Sequence, residues 1–105
     1  MENVTEISGK EFDSYTKKGA VLIDFYADWC MPCVMMSPVL EELSEKFKGK
    51  IKFGKINVDE NQELAQKFGV MSIPNFVLFK DGKKAGQFVG SMPEEDFEKK
   101  LKSSL

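Results

Sequence analysis

The sequence predicts an α/β fold in three layers, a central mixed sheet of five strands with four helices divided between its two faces. Three observations carry this. Val21-Leu22-Ile23-Asp24-Phe25-Tyr26 is a near-continuous apolar run, as a central strand covered on both faces requires. Strand-like runs alternate with helix-period segments over most of the chain, which implies parallel crossovers. Asp81-Gly82 sits between two further strand-like runs and is a strong two-residue hairpin signal, so the last pair of strands is antiparallel. The expected element order is βαβαβαββα.

Each element has a local reason. Val4 to Ile7 is a short strand. Ser8-Gly9-Lys10-Glu11 reads as a capping box opening a helix through Tyr15, and Gly19 ends that segment. After the central strand, Pro32 to Phe47 is the long helix, with Met36, Leu40, Leu43 and Phe47 at helical spacing on its inner face. Glu41, Glu42, Glu45 and Lys46 lie outside. Pro38 falls inside this helix and is expected to kink it; the other reading is a boundary between two helices. Ile51 to Val58 is a third strand. Asn61 is the expected cap of a short helix in which Leu64 and Phe68 pair and which Gly69 stops. Asn75 to Lys80 and Lys83 to Val89 are the hairpin strands. Ser91-Met92-Pro93-Glu94 is a second capping box, opening a terminal helix with Phe97, Leu101 and Leu105 inward.

No linker, repeat or low-complexity tract divides the chain, so residues 1–105 are expected to form one domain. Hydrophobic residues make up 42%, enough for a core without a covalent staple. Net charge is −2, with lysines and acids interspersed and no arginine, so nothing points to nucleic acid. Met1-Glu2-Asn3-Val4-Thr5-Glu6 lacks a basic-then-apolar signal segment, and no apolar run approaches a membrane span. A cytoplasmic, monomeric protein with no membrane contact is expected.

The chemistry gathers at Asp28-Trp29-Cys30-Met31-Pro32-Cys33, which holds both cysteines. Two cysteines three apart at a helix start place their sulfurs on one face of the first turn, allowing a short disulfide. Such a tight loop stabilises the fold by only about 2 kcal/mol in the chain-entropy model. A bond that stabilises so little is better read as one that opens and closes. At a helix start, unpaired N–H groups and the peptide dipoles favour a thiolate. Pro32 suits that position, where a missing N–H costs nothing. Cys30, the outer thiol before the helix, is assigned as nucleophile, and Cys33, inside the first turn, as the resolving thiol. Two inert structural thiols are the plainer alternative. A zinc half-site is a weaker one, because zinc wants four Cys or His ligands and the chain has no histidine and no other cysteine.

Trp29-Cys30-Met31-Pro32-Cys33, preceded by Ile23-Asp24-Phe25-Tyr26-Ala27 and followed by Ile73-Pro74, resembles the thioredoxin family over nearly the whole chain. The resemblance implies a protein-disulfide reductase that maintains cell redox homeostasis. It would carry electrons from a thioredoxin reductase to disulfide-containing target proteins. No cofactor is expected within the chain, which lacks a G-x-G-x-x-G signature.

Asp24 interrupts a strand otherwise expected to be buried, six residues before Cys30. Burial would raise its pKa. It is the candidate general base, through a water if needed, for the proton of Cys33; its place matches the buried aspartate with that role in thioredoxins. The alternative is an aspartate that bonds backbone or water at a strand end. Lys55 shares a strand face with Ile51 and Phe53. It either pairs with Asp24, opposing the effect of burial, or extends to solvent.

General X–Pro statistics favour a trans Ile73-Pro74 bond. The resemblance instead implies a cis-proline facing the disulfide, with the Ile73 backbone open to an extended substrate segment. Trp29 is expected to cover the sulfur and meet partners. Gly90 matches a glycine of the family near the substrate groove. Met71 joins Trp29, Met31 and Ile73 in an apolar docking surface. The chain departs from the family pattern at Met31, usually glycine, Val34, commonly lysine, and Asn75, commonly threonine. Together with Pro32 and Trp29, Met31 is expected to tune the reduction potential. Two rival functions remain, a disulfide oxidase or isomerase, and a binding module at the Pro74 groove switched by redox state.

Overall fold

The computed structural model describes residues 3–105. Met1 and Glu2, the start of the stretch read for a targeting signal, lie outside the described residues. The elements are β1 (Val4–Glu6), α1 (Phe12–Thr16), β2 (Ala20–Tyr26), α2 (Met31–Lys46), β3 (Ile51–Asn57), a 3₁₀ turn (Val58–Glu60), α3 (Gln62–Lys67), β4 (Asn75–Lys80), β5 (Lys83–Val89) and α4 (Glu94–Ser104). The strands lie in the order β1-β3-β2-β4-β5. β3 pairs parallel with β1 and β2, while β4 pairs antiparallel with β2 and β5. The mixed sheet therefore has the expected composition, with the added 3₁₀ turn after β3.

Side chains alternate across a strand, so β2 feeds two cores. Val21, Ile23 and Phe25 face α1 and α3, packing with Phe12, Ile56, Val77 and Phe79 and with half-buried Leu64 and Phe68. Leu22 faces the other way with Phe53, Phe76 and Leu78, against Met36, Leu40, Leu43 and Phe47 and against Phe97 and Leu101 of α4. By the same alternation Asp24 points to the α2 side of the sheet. The α2 helix runs unbroken through Pro38, so the boundary reading is excluded.

At the hairpin, Asp81 and Gly82 both take positive φ, 50° and 84°, the geometry that lets a two-residue turn follow the strand twist. Asp81 also accepts the Gly19 N–H at 2.8 Å, tying the hairpin to the start of β2. The α3 helix stops as expected: the Val70 N–H reaches Ala65 O at 2.9 Å and the Gly69 N–H reaches Gln66 O at 3.0 Å.

Helix entries differ from the sequence reading. Only half of the first capping box forms. Glu11 accepts the Ser8 N–H at 2.8 Å, but the Ser8 hydroxyl turns to the same carboxylate and α1 begins at Phe12. The second box does not form. Pro93 is itself the cap of α4, extended at ψ 151°, and the helix begins at Glu94 without a side-chain cap bond. Asn61 does not cap α3 with its side chain. Its amide is already used, accepting from Gly9 N and donating to Asn57 O, both at 3.0 Å. Leu105 is exposed instead of inward, because α4 ends at Ser104 and Phe97 and Leu101 already fill its buried face.

Candidate functional site

The site lies where β2 hands over to α2. Cys30 is the N-cap of α2, with extended backbone at φ −89° and ψ 103°, and Pro32 stands in the first turn. A helix start leaves its first N–H groups without backbone partners. Here a sulfur takes the place of the usual capping oxygen: the Cys33 N–H donates to Cys30 Sγ at 3.2 Å. The two cysteines are joined in a disulfide with Cα atoms 5.2 Å apart.

The sulfurs pack on Ala27, Tyr26, Val58 and Ile73. Both cysteines are consequently buried, at 4% and 3% exposure. Exposure belongs to the neighbours of Cys30, Trp29 at 69% and Met31 at 66%. What separates the two cysteines is their surroundings. Cys30 Sγ faces the helix N–H and lies 3.8 Å from Ile73 O. Cys33 borders a cavity of about 180 Å³ shared with Asp24, Ser37, Tyr26, Asp28 and Lys55. That space is polar and roomy enough for a bridging water.

Asp24 is only 4% exposed. Burial pushes its carboxyl up to about 7, and the Lys55 charge pulls it the other way. Its Oδ1 is buried without a hydrogen-bond partner among the described residues. Lys55 stands directly opposite Asp24 across the β2–β3 pair. Among the described residues no ion pair joins them. The Lys55 ammonium lies 5.3 Å from the centre of the Tyr26 ring instead. The two groups are thus neighbours in charge but not in contact.

The Ile73-Pro74 bond is cis. Gly90 donates its N–H to Pro74 O at 2.8 Å and holds φ at +91°, a conformation that favours glycine. Trp29, Ile73, Pro74 and Gly90 are therefore gathered at one end of the sheet with the sulfurs. The indole N–H of Trp29 is anchored on Asp59 Oδ2 at 2.9 Å. Met71 stands fully exposed next to this loop.

Sequence reasoning missed Asp59, Ser37, and the Asn75–Gln87 pair. Asp59 meets Trp29 from 30 residues away, with no local signal. Ser37 follows Cys33 by one helical turn, a spacing that marks it in retrospect. Asn75 is buried, and its Oδ1 accepts from Gln87 Nε2 at 3.0 Å; a polar residue opening an apolar strand was the available clue. A cleft of about 850 Å³ between Ser8, Lys10, Glu60 and Lys67 includes neither cysteine, so the site is defined by its chemistry and not by its size.

A family model described as Thioredoxin matches residues 3–103. Thioredoxins of Staphylococcus aureus strains Mu50 and MW2 are each 42% identical over 102 residues, covering 97% of this chain and 98% of theirs. A solved chain superposes with a TM-score of 0.86 at 35% identity, covering 95% of this chain and 94% of its own. It comes from work on the "thiol resolving mechanism in yeast mitochondrial 1-Cys peroxiredoxin via glutathione/thioredoxin systems". Among the described residues no helix is long and apolar enough to cross a membrane.

Proposed function

The chain belongs to the thioredoxin family, and on that premise we propose how its two cysteines divide the work. At the level the family carries, it is a thiol–disulfide oxidoreductase that reduces disulfide-containing target proteins. In our reading the Cys30 thiolate attacks one sulfur of a target disulfide. A mixed disulfide forms and the other target sulfur leaves as a thiolate. Asp24 then takes the proton of Cys33, directly or through a water in their shared cavity. The Cys33 thiolate attacks Cys30 Sγ, closing the Cys30–Cys33 bond and releasing the second target thiolate. Two electrons pass to the target, and a thioredoxin reductase returns them.

The observation that carries this division is the placing of the two sulfurs. Cys30 Sγ receives a helix N–H, which favours its anion, while Cys33 borders the cavity of a buried carboxylate raised to about 7. Lys55 tempers that carboxylate. Trp29, Ile73, Pro74 and Gly90 form the dock, where an extended target segment pairs with the Ile73 backbone. Met31 and Pro32 tune the potential. The chain works as a monomeric single domain in the cytoplasm, in redox homeostasis.

A Cys33→Ser variant tests the assignment. It should accumulate mixed disulfides on Cys30 when mixed with oxidised targets, and reduce insulin no faster than dithiothreitol alone. A variant that traps nothing on Cys30 would remove Cys30 as nucleophile.

A further inference from the structure

We propose that the pole of the sheet remote from the dithiol binds a multiply charged phosphoanion, held by Lys18, Lys48, Lys50 and Lys52. This goes beyond the redox reading and does not depend on it.

Parallel pairing creates the site. Ala20 and Ile51, the first residues of β2 and β3, are register partners. The lysines that precede or open these two strands are therefore brought side by side, although 30 residues separate them in sequence. The dithiol follows the opposite end of β2, about 20 Å away at the usual rise of a strand. The four lysines border one cleft of about 540 Å³, and no carboxylate is among the described residues lining it. That volume lies in the range of ligand sites. In a chain of net charge −2, such a one-signed concavity is not expected from composition.

The surroundings offset it only in part. The C-terminus of α2 ends here, but a helix end carries only about half a negative charge, against four ammonium groups. None of the four lysines makes an ion pair among the described residues; those pairs use Lys46 and Lys102. The carboxylates bonded to residues of this cleft are Asp81, which accepts the Gly19 N–H at 2.8 Å, and Glu41 and Glu45, which accept from Asn3 at 3.1 and 2.6 Å. Lys52 is already positioned, its ammonium 4.1 Å above the centre of the Tyr15 ring.

The donor set specifies the ligand class. The Tyr15 hydroxyl is spent on Phe53 O and the Ser44 hydroxyl on Glu41 O. Besides the Thr5 hydroxyl, what remains is ammonium, which binds phosphate as a point charge and needs no planar fork. A chain of three phosphates, with roughly one to two charges each, matches four lysines better than a single phosphate does. A nucleoside attached to that chain finds no dedicated partner.

The test follows backbone amide shifts of the full chain during titration with sodium tripolyphosphate, ATP and orthophosphate at fixed ionic strength. Saturable shifts confined to residues 17–20 and 48–53 are expected. Tripolyphosphate and ATP should bind alike and orthophosphate at least tenfold more weakly. The double variant Lys50→Gln/Lys52→Gln, and separately Lys48→Gln, should weaken tripolyphosphate binding severalfold. Lys99→Gln/Lys100→Gln on α4 should not, and insulin reduction should be unchanged in all three. Shifts spread over every lysine-bearing surface, absence of saturation, or equal weakening in the α4 variant would overturn the proposal. ATP binding far more tightly than tripolyphosphate would also overturn it, by showing a nucleoside pocket instead.

Discussion

Replacing Asp24 by asparagine removes a charge while keeping the shape of the side chain. The carboxyl is 4% exposed, and burial pushes it up from 3.8 to about 7 against the opposing Lys55 charge. The folded protein therefore holds this proton more tightly than the unfolded chain. Between the two values the native state binds more protons, so stability falls as pH rises through the window, and the loss is complete above about pH 8. At roughly 1.4 kcal/mol per pH unit the full loss is about 4 kcal/mol, of which about 3 kcal/mol falls between pH 5 and pH 8.5. Asparagine does not ionise, so the variant escapes it. Urea unfolding of the oxidised wild type and of Asp24→Asn at several pH values measures the effect. The stability difference in favour of the variant should grow by about 3 kcal/mol from pH 5 to pH 8.5. Parallel curves would refute the burial argument. In the same variant, resolution of the mixed disulfide should slow by at least about tenfold and lose its pH dependence near neutrality. An unchanged rate and profile would remove the base role even if the stability result held.

Lys55→Met removes the charge that lowers the Asp24 pKa, so the ionisation of Asp24 should move upward. The pH midpoint of resolution should shift to the alkaline side, and an acid shift would contradict the assigned sign. Phe97→Ala should cost about 3–5 kcal/mol in denaturant unfolding, because the ring is fully buried edge-on against Phe76. A loss below about 1 kcal/mol would mean that α4 is not part of the core. Gly90→Ala should cost only about 1 kcal/mol of backbone strain, since φ is +91° and an added Cβ meets nothing within 4 Å. A loss above about 3 kcal/mol in the same unfolding assay would reveal a contact that the geometry does not contain.

Elements with strong local patterns were legible in the sequence. The apolar run of β2, the α2 stripe through Met36, Leu40 and Leu43, and the Asp81-Gly82 turn each signal through residues within about four positions of one another. The cysteine pair belongs to the same class, since its spacing and the helix start are both local. Helix caps were read less well. Ser8, Asn61 and Ser91 each have the composition of a cap, but Asn61 is drawn to Gly9, 52 residues away, and Pro93 takes the place of Ser91. The sequence by itself determined the order of elements, which faces are apolar, and that one dithiol stands at a helix mouth. Only the tertiary structure decided which distant groups meet that dithiol and that lysine pole. Register between parallel strands sets Asp24 opposite Lys55 and Ala20 opposite Ile51. Packing of loops brings Ile73 O to Cys30 and Asp59 to Trp29. Such meetings depend on chain segments far apart in sequence, and a local pattern carries no information about the distance across which two segments fold together.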